Sequence, residues 1–232
     1  MNKSLRTLAL VALALPALAA TPALAQDEAK PLDISFSLTG VSDYRFRGVS
    51  LSDKDPAIQP QLSLEHQSGF YASVWGSNIA DNGGDDIEID LTAGFSRDVG
   101  SINLNAGVVY YLYPGASDFN YVELLGSVGS SVGKGNVAVN VAYAPSQNNT
   151  GNEDNIYVGV SGSHPVGDKL TLNASFGIED GAFADNKKDW SIGADFDAGH
   201  GIVIGAKYID TAHTQNNPLA KGTAVLSISK SF

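Results

Sequence analysis

Cysteine is absent from the 232 residues, so neither a disulfide framework nor a thiolate metal site is open to this chain. Positive charge is scarce. Lys and Arg number 14 against 25 Asp and Glu, a formal net charge of −11 at pH 7, and an acid excess of that size repels nucleic acid. Long apolar runs are missing too, since after residue 25 no stretch approaches the ~20 apolar residues that a membrane-spanning helix requires. The composition is 43% hydrophobic with a mean hydropathy of −0.03. That average fits a soluble protein, and equally a β-barrel whose outward and inward residues alternate and cancel.

Residues 1–25 are of a different kind. Lys3 and Arg6 precede an apolar run over 8–20, and Ala23-Leu24-Ala25 stands before Gln26, the layout of a secretory signal with its cleavage site. A membrane anchor is the other reading, but the run is too short and Pro16 interrupts it. Cleavage would remove two of the 14 bases, Lys3 and Arg6, and leave 12 against 25 acids, or −13. Residues 26–232 are then expected to form a single domain, with no linker or low-complexity tract in view.

Periodicity sets the fold class, because apolar residues recur at every second position in many segments of similar length. Leu32, Ile34, Phe36 and Leu38, continuing to Tyr44 and Phe46, oppose Asp33, Ser35, Ser37, Thr39, Asp43, Arg45 and Arg47. A helix would mix these two sets. The alternation returns at Leu62 and Leu64, at Phe70, Ala72 and Val74, and most cleanly at Ile87, Ile89, Leu91, Ala93 and Phe95 against Glu88, Asp90, Thr92 and Ser96. It continues through segments near 102–110, 122–128, 137–143, 156–160, 170–178, 190–196, 202–208 and 224–232. The expectation is about twelve strands in an all-β, transmembrane, antiparallel up-and-down barrel.

The connections alternate in length as well. Short turns are expected at 66–69, 98–101, 129–135, 164–169 and 198–201, and longer polar loops at 51–56, 78–86, 114–118, 145–154, 179–189 and 210–221. Outer-membrane barrels have short periplasmic turns and longer outer loops, so both termini are expected on the periplasmic side. A soluble sandwich or lipocalin-like barrel also alternates. Against it, Lys and Arg are sparse, and the polar faces run to Ser, Asn, Gly and Thr. The last segment carries Leu226, Ile228 and Phe232 in phase and resembles the C-terminal signature by which outer-membrane proteins are recognised for assembly. Phe232 is thus the expected assembly signal, with the barrel assembly machinery and outer-membrane lipid as expected partners.

A family resemblance lies in Ser42-Asp43-Tyr44-Arg45-Phe46-Arg47-Gly48-Val49-Ser50, in Pro56-Ala57-Ile58-Gln59, and in Ser68-Gly69-Phe70-Tyr71 leading to Trp75-Gly76-Ser77-Asn78. These motifs, within 42–78, resemble the TorF-type putative porin family of proteobacteria. The resemblance implies a porin-like outer-membrane protein and supplies no substrate or site. Pro60 departs from the family pattern, which favours Gly, and asks for a bulge or an unpaired position in the second strand.

The inward face carries the functional expectations. Arg45 and Arg47 fall in the outer half of the first strand, Glu88 and Asp90 at a similar height on the fourth, and Glu123 and Lys207 at the upper or middle level; Asp195 and Asp197 come nearer the periplasm. Two readings of this band stand open. Either Arg45 and Arg47 face Glu88, Asp90 and Glu123 across a water-filled constriction that sets ion selectivity, or the charges pair directly and plug a narrow lumen, twelve strands lying between filled and channel-forming barrels. The acids Asp33, Asp43, Glu65, Glu88, Asp90, Glu123, Asp195 and Asp197 outnumber the bases Arg45, Arg47 and Lys207. A pore so lined favours cations.

Weaker candidates complete the list. The acidic loop 81–86 offers oxygen ligands for Ca²⁺ without the spacing of a known calcium loop, and no metal or cofactor is expected. Tyr110, Tyr111, Tyr113, Phe119, Tyr143, Trp190 and Tyr208 fit aromatic girdles at strand ends. A lipid-modifying enzyme would need a nucleophile and a base within reach, and a Ser with His213 and Asp210 is the one combination on the outer side. A surface barrel binding a partner through its loops needs no open lumen. The function expected first is a porin-like channel for passive diffusion of small hydrophilic solutes, cation-preferring, in the outer membrane and not an enzyme.

Overall fold

Twelve long strands close on themselves in the computed structural model, which describes residues 31–81 and 84–232; the export signal expected at 1–25 lies outside them. The barrel strands are β1 (Leu32–Val41), β4 (Ala57–His66), β5 (Phe70–Asn78), β6 (Ile87–Val99), β7 (Ile102–Leu112), β8 (Tyr121–Val132), β9 (Gly135–Ala144), β10 (Asn155–Val166), β11 (Leu170–Gly181), β12 (Ala184–Gly199), β13 (Ile202–Ala212) and β14 (Thr223–Ser231). Each pairs antiparallel with its neighbours in the chain, and β1 pairs with both β4 and β14, which removes every free edge. The remaining two short strands, β2 (Arg45–Phe46) and β3 (Val49–Ser50), form a separate hairpin. Each of the twelve alternating segments read from the sequence is one barrel strand.

A strand turns successive side chains to opposite faces, and here the two faces have different company. Ile34, Phe70 and Leu226 point outward at 60%, 64% and 61% exposure, within a belt of exposed Leu, Ile, Val and Phe that circles the barrel. Aromatic pairs sit at both rims: Phe70 with Phe95 and Phe36 with Phe232 at one end, Trp190 with Tyr208 at the other. The Phe232 backbone N–H donates to the Phe36 carbonyl at 3.0 Å, so the last residue is held at the seam where β14 meets β1.

Connections at one end are confined to 67–69, 100–101, 133–134, 167–169 and 200–201, while the other end carries 42–56, 79–86, 113–120, 145–154 and 213–222. These are called the turn end and the loop end below. One expected loop is not there. Residues 179–189 continue β11 and β12 and are joined only by 182–183, because Glu179 and Lys187 pair across the ladder and extend it upward. Pro60 enters without a bulge: the β1–β4 register runs unbroken through Leu38↔Pro60. Its nitrogen lies on the same edge as that of Ile58, whose N–H is taken by Asn78 Oδ1, and Pro60 falls beyond the last registered β4–β5 pair, so on that side it is an unpaired position.

The largest departure is at the end of the first strand. The expected continuation of alternation to Phe46 and Arg47 does occur, but β1 stops at Val41 and Asp43, Tyr44, Arg45, Phe46 and Arg47 belong to the segment 42–56 that folds into the barrel mouth. Arg47 and Gly48 take φ values of +46° and +85°, both left-handed, as a two-residue type I′ hairpin turn needs. Arg45 is registered with Ser50 and Phe46 with Val49, and the Leu51 N–H donates to the Tyr44 carbonyl at 2.8 Å. Tyr44 and Phe46, read as lipid-facing, instead pack inside the barrel with Trp75, Val109, Tyr111 and Leu125. The apolar core of this protein is therefore at the loop end of the lumen, and the inserted hairpin supplies part of it.

Candidate functional site

The hairpin crosses the lumen from the β1–β4 side and is fastened on the far wall by one side chain. Arg47 Nη2 donates to Glu123 Oε2 of β8 and Nη1 to Glu179 Oε1 of β11, each at 2.6 Å. The guanidinium carbon also lies 4.5 Å from the Phe46 ring centroid and 4.6 Å from that of Tyr157 on β10, so the cation is bonded through both Nη atoms and packed against two rings. Lys187 of β12 reaches the other Glu179 oxygen at 2.5 Å and donates to the Arg47 carbonyl at 2.9 Å. Tyr111 and Asn155 add hydrogen bonds to Glu123 and Glu179. Glu123 is 0% exposed and Arg47 5%. Four strands of the far wall thus hold a hairpin that enters from the near one.

Gly48 at the tip is required by space as well as by its backbone angle. A Cβ there would lie 2.3 Å from Thr211 Cγ2 and 3.0 Å from Asp189 Cβ, so the turn rests directly on β13 and β12. The base of the hairpin is tied separately. Arg45 Nε donates to Asp43 Oδ2 at 2.7 Å and its Nη1 to the carbonyls of Gly48 and Lys221, while Ser50 Oγ donates to Asp43 Oδ1 at 2.6 Å.

The expected band of charge is therefore assembled differently from the two arginines on a strand facing three acids. Arg47 does meet Glu123, in direct contact and from a loop. Arg45 meets only Asp43, its hairpin neighbour, among the described acids. Glu88 and Asp90, 1% and 4% exposed, have no cation on them among the described residues: Tyr113 Oη donates to Glu88 Oε1 at 3.1 Å, while Glu88 Oε2 and Asp90 Oδ1 are buried with no partner there. Lys207 faces inward on β13 opposite Gly193 and makes no ion pair among the described residues. In the loop expected to offer calcium ligands, Asp81 Oδ1 accepts from the Gly84 N–H and Asp85 Oδ2 from the Gly115 N–H, both at 2.8 Å. His213 is exposed in 213–222, and Asp210 Oδ1 accepts the Thr211 N–H, so no Ser–His–Asp arrangement forms there among the described residues.

Glu179, Lys187 and Asp189 are the functional-site residues that sequence reasoning missed, having been assigned to a loop, and Tyr111 and Tyr113 were read as girdle anchors although both point inward. A signal was available in the phase of the aromatics. Trp75, Tyr111, Tyr121 and Tyr157 all sit on the polar-phase positions of their strands, where a water-filled lumen has no use for a large ring. Tyr157 illustrates the fit: it donates to Asp189 Oδ1 at 3.2 Å while its ring lies over Gly177, where a Cβ would come within 2.1 Å of the hydroxyl. Gly177→Ala should push that ring off both Asp189 and Arg47 and cost about 1–3 kcal/mol. The urea midpoint for loss of the compact, heat-modifiable band on gels should fall accordingly; an unchanged midpoint would show that Tyr157 contributes nothing there.

Toward the turn end the lumen changes character. Ser127, Ser161, Ser163, Asn173, Ser175, Ser191 and Ser227 line it, each partly exposed, together with Asp195, Asp197 and Lys207. The interior is thus a polar vestibule capped by a plug of packed aromatic rings and bonded charges.

This architecture matches solved porins in fold. A KdgM porin in complex with disordered oligogalacturonate superposes with a TM-score of 0.60 at 9% identity, over 85% of this chain and 99% of that one. The NanC porin gives 0.59 at 10% identity, over 85% and 98%, and an outer-membrane channel from Pseudomonas putida F1 gives 0.52 at 11%, over 88% and 97%. No curated protein matches the sequence. Residues 25–232 match the model of a family described as "Bacterial protein of unknown function (Gcw_chp)".

Proposed function

The chain belongs to this family, Gcw_chp, whose function its description leaves open, and from the chain's own interior we propose that it is an outer-membrane channel for small hydrophilic solutes, closed at the loop end by its first loop. The observation that carries this reading is the hairpin itself. A barrel that needed only to be stable could fill its lumen from its strands; here the filling is an inserted loop, fastened to the far wall through Arg47, over a vestibule lined by Ser, Asn and Asp. The exposed apolar belt is what a bilayer covers. The loop end then faces outside, the turn end faces the periplasm, and residues 1–25 direct export. Phe232, exposed at the closing seam, is the residue offered to the assembly machinery. The 42–78 motifs fit the TorF-type porins.

Passage is passive and involves no cofactor or reaction. Vestibule acids Asp33, Glu65, Asp195 and Asp197 outnumber Lys207, so cations enter more readily than anions. The same balance argues against a polyanionic sugar such as the oligogalacturonate of the KdgM complex as the solute here.

The test uses the register. Val41 and Ala57 already face each other across β1 and β4, so residues 42–56 can be replaced by Asn-Gly, the two-residue hairpin turn. In a planar bilayer under a salt gradient, the mature protein should be closed most of the time, and the hairpin-less barrel should give stable steps with a cation-directed reversal potential. Silence from a folded hairpin-less barrel would sink the channel. It would favour the second reading, a non-conducting barrel that binds a partner through its outer loops, for which the filled loop-end lumen also speaks.

A further inference from the structure

The carboxylates that hold Arg47, and the groups that steady them, belong to the barrel wall. Glu123 on β8 and Glu179 on β11 each give one oxygen to the guanidinium, at 2.6 Å. Each carboxylate has a donor of its own beside it: Tyr111 Oη of β7 donates to Glu123 Oε2 at 3.0 Å, and Asn155 Nδ2 of β10 to Glu179 Oε1 at 3.1 Å. Tyr157 of β10 has its ring centroid 4.6 Å from the guanidinium carbon and donates to Asp189 of β12. Phe46, the other ring against the guanidinium, travels with the hairpin. When the hairpin leaves, the two acceptors, their supporting donors and one aromatic ring remain on the strands.

That receptor without Arg47 is short of a cation. Glu123 and Glu179 then stand against Lys187, which already meets the second Glu179 oxygen at 2.5 Å. The geometry also states which cation fits. Two oxygens on different strands are reached by two nitrogens of one group, with an aromatic ring close to its carbon. A planar, weakly hydrated guanidinium with donors on separate nitrogens meets that arrangement, and a compact, strongly hydrated ammonium does not. The hold on Arg47 is moreover incomplete. Its Nε and Glu123 Oε1 are buried with no hydrogen-bond partner among the described residues, and each such orphan subtracts from what the two bonds give. An occupant held in this way is exchangeable.

We propose that Glu123, Glu179 and Tyr157 form a binding site for a free alkylguanidinium when the hairpin is undocked, with Arg47 as the internal ligand that fills it when the hairpin is docked. The site rests on the reading of the hairpin as a movable closure. It deepens that reading by naming the class of solute received at the loop end, a cation that carries a guanidinium group. Such a solute competes with Arg47 for the same two carboxylates, binds the undocked barrel alone, and so shifts the population toward it.

The experiment is isothermal titration of the mature Arg47→Ala protein in detergent micelles with ethylguanidinium chloride, the fragment that the substitution removes, against n-propylammonium chloride and NaCl at matched concentration. Saturable binding of ethylguanidinium alone is expected. Adding Glu123→Gln should weaken it about tenfold or more, since a charge-assisted hydrogen bond is lost. The wild-type protein should also bind about tenfold or more weakly, because Arg47 fills the receptor and the competent fraction is small. No strand pairing is touched, so Arg47→Ala should fold, and the heat-modifiable gel band checks that it does; if the band is missing, the hairpin-less barrel, which carries the same wall, is titrated in its place. Absence of saturable heat, equal heat from propylammonium or NaCl, binding undiminished by Glu123→Gln, or wild-type binding as tight as the variant's overturns the site. Because the titration needs no bilayer, a barrel that binds but never conducts would refute the channel and keep the site, and one that conducts without binding would do the reverse.

Discussion

Arg47→Met should turn a closed barrel into one that opens. The substitution keeps most of the side chain's length and its contact with Phe46 and Tyr157, but it removes the bonds to Glu123 and Glu179. Lys187 and Asn155 still hold Glu179. Glu123 keeps only the Tyr111 hydroxyl, and a buried charge stripped of its partner costs about 3–5 kcal/mol. That penalty exists only while the hairpin seals Glu123 from water. It is relieved by undocking the hairpin, so at about 1.4 kcal/mol per decade the open population rises by roughly two to three orders of magnitude. Open-channel time in single-channel recordings reads this directly. Adding Glu123→Gln should restore much of the closure, because a buried ion pair replaced on both sides is often neutral. Arg45→Ala, at the hairpin base beside Asp43, should open the barrel far less. A folded Arg47→Met protein that stays as quiet as the wild type would show that Arg47 is not the latch.

The barrel was readable because its signal is repeated twelve times. Each strand imposes period two, and a single misread segment does not alter the count or the closure. The hairpin was hidden by the same regularity. Residues 43–47 alternate polar and apolar just as β1 does, because they too form a strand, only a two-residue one running back on itself; the pattern cannot say where a strand leaves its sheet. The clue was Gly48 after Arg47, since a pair able to adopt positive φ between Phe46 and Val49 marks a tight reversal. Glu179 and Lys187 were misassigned for the opposite reason: Asp180, Gly181, Ala182, Asp185 and Asn186 look like loop chemistry, yet the ladder runs past them, closed by a bonded glutamate–lysine pair that only the neighbouring strands reveal. Of the expected site, Glu123 and Arg47 come together. Glu88 and Asp90 are at the right level without the arginines they were matched to, and Lys207 lies apart.

That unmatched acid has its largest consequence once the hairpin is gone. Replacing 42–56 by Asn-Gly removes Asp43, Arg45 and Arg47 together and exposes the wall they covered. Glu88, Asp90, Glu123, Glu179 and Asp189 then face the lumen at the loop end with Lys187 as the only base among the residues that held the plug. Five carboxylates to one ammonium form a ring that raises the local concentration of cations and opposes anions. The reversal potential of the hairpin-less barrel should be strongly cation-directed at 0.1 M salt, where the Debye length is about 10 Å, and should weaken sharply near 1 M, where it falls to about 3 Å. The triple change Glu88→Gln, Asp90→Asn and Glu123→Gln should remove most of the preference while leaving conductance steps in place, since no strand pairing is touched. A reversal potential unchanged by that triple substitution would move selectivity down the barrel, to Asp33, Glu65, Asp195 and Asp197 at the turn end. The loop-end acids would then serve chiefly to receive the hairpin: Glu123 and Glu179 to bind its arginine, and Asp189 to lie beneath its tip.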